Sequence, residues 1–253
     1  MNISVVRYLL LAAMRDKLVY SLLGASVLVV SLSFFLGSSA VVEQDQFVLV
    51  YVASTIRMLF VFGLVLFTVF FVRRSFENKD IEYLLSRPMD RKSFVFSYII
   101  ALVVLSLFFA LVASLIVAFV GQNYWGSGYA LWCYSLFVEL VLMSSAALFF
   151  SMALSTPISA SLVSFAFYAL SRLIGELLGI ASGFYMGKGS EVMGNVINTV
   201  SLFVPRLDLF TQSSWLLYGP VGDVGYGIIS VQGILFVTVL GAASMIDLIR
   251  REF

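Results

Sequence analysis

The chain has 253 residues, 61% of them apolar, 15% aromatic and only 11% charged, with a mean hydropathy of +1.05. A soluble domain carries about 25% charged residues, so composition alone excludes water as the solvent of this fold. Fifteen basic and fourteen acidic residues leave a net charge of +1, and there is no histidine and a single cysteine, Cys133. That removes histidine metal sites, Ser-His-Asp and Cys-His nucleophiles, disulfides within the chain and any overall field for nucleic acid.

Ile3 to Met14 is apolar but carries Ser4, Arg7 and Arg15 within one arc of a helical wheel. This pattern predicts a helix over residues 1–17 lying along the membrane surface. Leu18–Leu36 follows as the first span; Ser38-Ser39-Ala40 behind it also permits a cleaved signal peptide, against which its 19-residue apolar core counts as too long. Further spans are predicted at Phe47–Val72, Phe94–Val120, Tyr129–Leu154, Ile158–Ile180 and Tyr226–Ile246, each near the roughly 20 residues that cross about 30 Å of hydrocarbon. The expected class is all-α: a single six-span membrane domain covering residues 1–253.

Basic residues orient it. With a cytoplasmic N-terminus, Arg7, Arg15, Lys17, Arg73, Arg74, Lys79, Arg87, Arg91, Lys92, Arg250 and Arg251 lie inside, eleven of the fifteen. Both termini are then cytoplasmic.

The segment 75–90 between the second and third spans holds a short charged stretch. Glu77 and Asp80 suit a helix N-terminus, Ile81, Leu84 and Leu85 share an apolar face, Glu82 lies between them, and Pro88 ends the pattern. A helix of about ten residues is marginal alone in water, so its apolar face needs cover, from its own bundle or from a soluble partner. Periodicity does not choose between these.

Four ionisable residues fall within apolar spans: Arg57, Glu139, Arg172 and Glu176. Each costs about 2.5–3.5 kcal/mol at mid-bilayer if it faces lipid. Counted from the cytoplasmic ends, all lie about 21–27 Å up, where opposite charges on neighbouring helices can pair, and Arg172 and Glu176 are also spaced i,i+4. Packing ion pairs, a polar gate or headgroup contact, and proton coupling through Glu139 or Glu176 are the three readings.

Gly175, Gly179 and Gly183 recur every fourth residue, a spacing that lets helix backbones approach closely. Residues 181–225 are glycine-rich and expected outside, with a 13-residue apolar stripe from Val192 to Val204 too short to cross and too apolar to be free, and therefore re-entrant or interfacial. Phe210, Trp215 and Tyr218 are expected at headgroup level. The string Gly183 to Gly189 is one residue short of a phosphate-binding loop and has Gly189 where the hydroxyl belongs; it is read as a turn.

The run Glu77-Asn78-Lys79-Asp80-Ile81-Glu82-Tyr83-Leu84-Leu85-Ser86-Arg87-Pro88, followed by Arg91-Lys92 and a new span, resembles the segment between the second and third spans of ABC type-2 permeases, the membrane subunits of ATP-driven exporters. The basic amphipathic N-terminal helix, Val204-Pro205-Arg206-Leu207-Asp208-Leu209-Phe210 before the last span, and the tail Ile249-Arg250-Arg251-Glu252-Phe253 are similar to that family too. The resemblance implies a coupling helix at Glu77–Ser86. Glu77, Asp80 and Glu82 would meet polar groups, and Ile81, Leu84 and Leu85 the cleft, of a separate cytoplasmic ABC ATPase subunit, present in two copies. It also implies a second permease subunit, identical or related, membrane lipid around both, and a bacterial cytoplasmic membrane. No cofactor is expected in this chain; ATP and magnesium belong to the ATPase. An ion-coupled secondary carrier working without an ATPase is the alternative.

Overall fold

The computed structural model describes residues 3–38, 43–78, 91–122, 125–183, 204–220 and 224–250. All regular structure in these residues is helical: α1 (Ile3–Arg15), α2 (Leu18–Gly37), α3 (Gln44–Glu77), α4 (Arg91–Val120), α5 (Ser127–Ala153), α6 (Pro157–Gly183), a 3-10 turn at Leu207–Leu209, α7 (Trp215–Tyr218) and α8 (Tyr226–Arg250). Six of them, α2 to α6 and α8, are long and apolar enough to cross a membrane. The protein is an all-α, polytopic integral membrane protein with a transporter-like arrangement of spans.

α5 is the central pillar. It packs on α3, α4, α6, α7 and α8, and it is buried almost all round, from Leu131 and Trp132 through Leu142 to Met152, as a helix without an amphipathic stripe must be. The outer faces of α2, α4, α6 and α8 instead present Leu28, Phe35, Leu115, Phe119, Ile158, Leu162, Val231 and Ile234, an apolar exterior suited to lipid rather than water. Serines within the spans are accommodated by bonding back along their own helix, as Ser144 and Ser145 both do to the Val141 carbonyl.

The ends of the helices that carry the basic residues are tied together. Arg74 at the end of α3 pairs with Asp16 in the turn before α2, so α2 and α3 run antiparallel. Arg73 donates to the carbonyls of Leu154, at 3.1 Å, and Ser155, covering acceptors that the end of α5 leaves open. The next helix starts at once: Pro157 takes the first position of α6, and the Thr156 hydroxyl accepts the Ser159 N–H at 3.2 Å. α1 buries Val5, Leu9, Ala12 and Ala13 against the bundle, chiefly on α4, and leaves Arg7 and Arg15 exposed. The surface helix is thus docked on protein along one side.

Two boundaries differ from the sequence expectation. The second span does not stop at Val72; α3 continues to Glu77, about 51 Å in all at 1.5 Å per residue, because Ser75 is buried and Arg73 and Arg74 find partners beside it. Glu77 is therefore the last residue of a spanning helix rather than the start of a separate one. Asp80, Ile81, Glu82, Leu84 and Leu85 lie outside the described residues. The fifth span reaches Gly183, so residues 181–183 belong to α6 and not to the outer segment, and the stripe before Val204 lies outside the described residues.

Candidate functional site

Arg57 sits on the inner face of α3 between Ile56 and Phe60, and it is 1% exposed. A guanidinium in that place has to find acceptors; α5 supplies three and the segment 204–220 a fourth. Nη1 donates to Glu139 Oε2 on α5 at 2.8 Å and to the Phe210 carbonyl at 2.8 Å. Nη2 donates to the Trp132 carbonyl at 3.2 Å and to Ser135 Oγ at 3.0 Å. The guanidinium also lies over the Trp132 ring, 4.9 Å from its centroid, a cation–π contact strengthened by the absence of water. Its Nε has no hydrogen-bond partner among the described residues.

Glu139 is fully buried and engaged at both oxygens, since Oε1 accepts from the Tyr168 hydroxyl of α6 at 3.1 Å. The Tyr168 oxygen in turn accepts from Arg172 Nη1, one turn further along α6, at 2.9 Å. One polar chain, Arg57 to Glu139 to Tyr168 to Arg172, therefore crosses three helices in the half of the bundle away from the basic ends. Phe62 of α3 closes its flank with edge-on contacts to Phe165 and Tyr168, 5.0 and 5.7 Å between ring centroids.

The segment 204–220 is held onto this chain from above. Its Phe210 carbonyl is an Arg57 acceptor, and Leu207, Phe210, Trp215 and Leu216 are buried. Asp208 receives Arg206 Nη2 at 3.0 Å and sits directly on Gly175, where a Cβ would come within 2.1 Å of Asp208 Oδ2. α7 lies equally close to the start of α5: a Cβ on Gly128 would stand 1.9 Å from the Trp215 carbonyl oxygen. Glycine at both positions permits the approach.

Of the four charges within spans, the structure joins Arg57 directly to Glu139 and links Arg172 to them through Tyr168. Arg172 and Glu176 do not pair; the arginine turns back toward Tyr168, the direction in which side chains lean along a helix, and Glu176 points outward and is exposed. Gly175 receives the Asp208 side chain rather than another helix backbone. Gly179 and Gly183 lie on α6 in surroundings outside the described residues. Phe210 and Trp215 correct the headgroup-level expectation: both are core residues, 0% and 1% exposed, because 204–220 packs down onto α5 and α6, and only Tyr218 stays out, at 74%.

Tyr168, Trp132, Ser135 and the Phe210 carbonyl complete the site and were not singled out from sequence. The first three were within reach: Trp132 and Ser135 precede Glu139 by seven and four residues and Tyr168 precedes Arg172 by four, which places each on the face of its ionisable neighbour. The arrangement is a latch. It couples the position of 204–220 to the relative placement of α3, α5 and α6.

Tyr168→Phe deletes the donor to Glu139 and the acceptor of Arg172 with little change in shape. The expected result is a loss of about 1.5–3 kcal/mol, the range for hydrogen bonds to charged groups, seen as a lower melting temperature of the purified protein in detergent, with normal insertion.

Compared with known proteins, the chain matches no family model and no curated sequence.

Proposed function

We propose that the chain is the membrane-spanning permease subunit of an ATP-driven exporter of the ABC type-2 kind, working with a separate cytoplasmic ATPase. The observation that carries the reading is the layout of one end of the bundle. There, α3 projects as a continuous helix through Arg73 and Arg74 to Glu77, directly before the sequence Asp80 to Pro88, and α1, docked chiefly on α4, lays Tyr8 against Phe71 of α3. A push on the 79–90 segment has a rigid lever to act on. α3 carries Arg57 five turns away, so tilting it strains the Arg57–Glu139 pair and the hold on Phe210. In this reading the latch keeps the far end closed until the ATPases close.

Two permease chains, the same or related, enclose the path, and two ATPases bind ATP and magnesium; the basic ends face the cytoplasm of a bacterial cell. The apolar, aromatic character of the bundle favours an amphipathic cargo. The carrier alternative needs a carboxylate free to take up a coupling ion: Glu139 has both oxygens engaged, and Glu176 is exposed on α6 and takes no part in the latch.

The test is capture of an ATPase encoded beside this gene by the tagged chain. Leu84→Asp, which puts a charge on the proposed docking face, is expected to cut the captured ATPase at least tenfold at equal membrane level of the chain. Full retention by the variant, or no ATPase with the unaltered chain, overturns the proposal.

A further inference from the structure

An open groove of about 530 Å³ runs between α2 and α3 on the outside of the bundle. Its walls are Leu18, Leu59, Phe62, Leu66 and Phe70, with Asp16 at one end. Phe62, Leu66 and Phe70 are 37%, 38% and 50% exposed, so nothing among the described residues fills it. From Leu59 to Phe70 it follows α3 for eleven residues, about 17 Å, close to one leaflet of a hydrocarbon layer about 30 Å thick. Its far end, Leu59, lies about 21 Å along α3 from Arg73 at the mouth, short of the full hydrocarbon thickness of about 30 Å. A second copy of a spanning helix would need a face running the full thickness; an acyl chain needs half.

Charge fixes the direction of that chain. The stripe Phe62, Leu66, Phe70 continues by one more step of four residues to Arg74, and α2 begins directly after the exposed Lys17, held at φ 59° in the turn from α1. Arg74 is half exposed, and Asp16 at the groove's mouth is already paired with it. At that end Arg15, Lys17 and Arg74 stand against Asp16 and Glu77, which leaves the region of the mouth net positive by one, while the lining beyond Asp16 is apolar apart from Ser21. That is the charge complement of one phosphodiester with its tail in the groove.

We infer that the α2–α3 groove is a binding site for one anionic phospholipid of the leaflet at the basic ends, its phosphate on Lys17 and Arg74 and one acyl chain along Leu66 and Phe70. The site does not depend on coupling to an ATPase and stands or falls separately from the export proposal.

Native mass spectrometry of the detergent-purified chain, delipidated and then given phosphatidylglycerol or phosphatidylcholine, reads occupancy directly. The unaltered protein is expected to keep one phosphatidylglycerol per chain, about fivefold in preference to phosphatidylcholine, the factor that corresponds to about 1 kcal/mol per basic residue at an anionic lipid. Lys17→Gln lowers this preference toward equality and Lys17→Arg keeps it. Leu66→Trp fills the groove from a lipid-facing position and lowers occupancy by both lipids at least tenfold at an unchanged melting temperature; should it melt lower, Leu66→Phe serves in its place. Equal retention of the two lipids by the unaltered chain, undiminished occupancy in the groove-filling variant, displacement by millimolar inorganic phosphate, or a dimer dissociated by Leu66→Trp with lipid still bound each overturns the inference.

Discussion

Glu139→Ala is expected to destabilise the protein by about 3–5 kcal/mol, the cost of leaving a buried charge without its partner, and to be the most damaging single change within the bundle. Arg57 cannot move to water from a position 1% exposed, and its remaining acceptors, two carbonyls and the Ser135 hydroxyl, are neutral. Glu139→Gln keeps an oxygen for Arg57 and is expected to fall between Ala and the unaltered chain. Arg57→Lys does little better than Arg57→Ala, because one ammonium cannot reach acceptors arranged around a planar fork. The double variant Arg57→Met with Glu139→Leu is expected to lose less than either charge-stranding single, since it removes both ions together, although it strands the Phe210 carbonyl. Melting temperatures in detergent and the yield of inserted protein check the order. A Glu139→Ala protein that melts like the unaltered one would remove the pair from any structural or gating role.

The parts of this fold legible in the sequence are those set by solvent. Six apolar blocks gave six spanning helices because hydrocarbon admits few other ways to satisfy a backbone, and the common depth of Arg57 and Glu139 followed from counting 1.5 Å steps from Arg73 and Ser155. Less legible was anything set by packing. That α3 runs on to Glu77 depends on Asp16 and the carbonyls of Leu154 and Ser155 receiving the two arginines, none of them neighbours in sequence. The fourth acceptor of Arg57 is a main-chain oxygen 153 residues away, which no side-chain pattern announces. Aromatic residues at 210 and 215 read as interfacial anchors by composition and proved to be core, because whether a short segment floats at the headgroups or packs inward is decided by the surface beneath it. Here that surface has glycines where the segment touches down.

Gly128→Ala tests that docking with the smallest available change. A methyl group there would lie 1.9 Å from the Trp215 carbonyl oxygen and 2.9 Å from Gly219 Cα, so main chain rather than a pliable side chain has to yield. Overpacking of this kind costs about 1–3 kcal/mol, and the cheaper of the two elements to move is α7, four residues long, rather than the 27-residue pillar α5. The expected outcome is a bundle that inserts normally but has 204–220 lifted off it. A cysteine introduced at the exposed Ser214 in a Cys133→Ser background reports too little, since it reacts in either state. One introduced at the buried Leu216 discriminates: it is expected to react with a membrane-impermeant maleimide at least tenfold faster when Gly128→Ala is present. The same lift withdraws the Phe210 carbonyl from Arg57, so Gly128→Ala and Glu139→Ala combined are expected to cost less than the sum of the two. Strict additivity would mean that the segment and the ion pair are independent, and that the latch is two separate contacts.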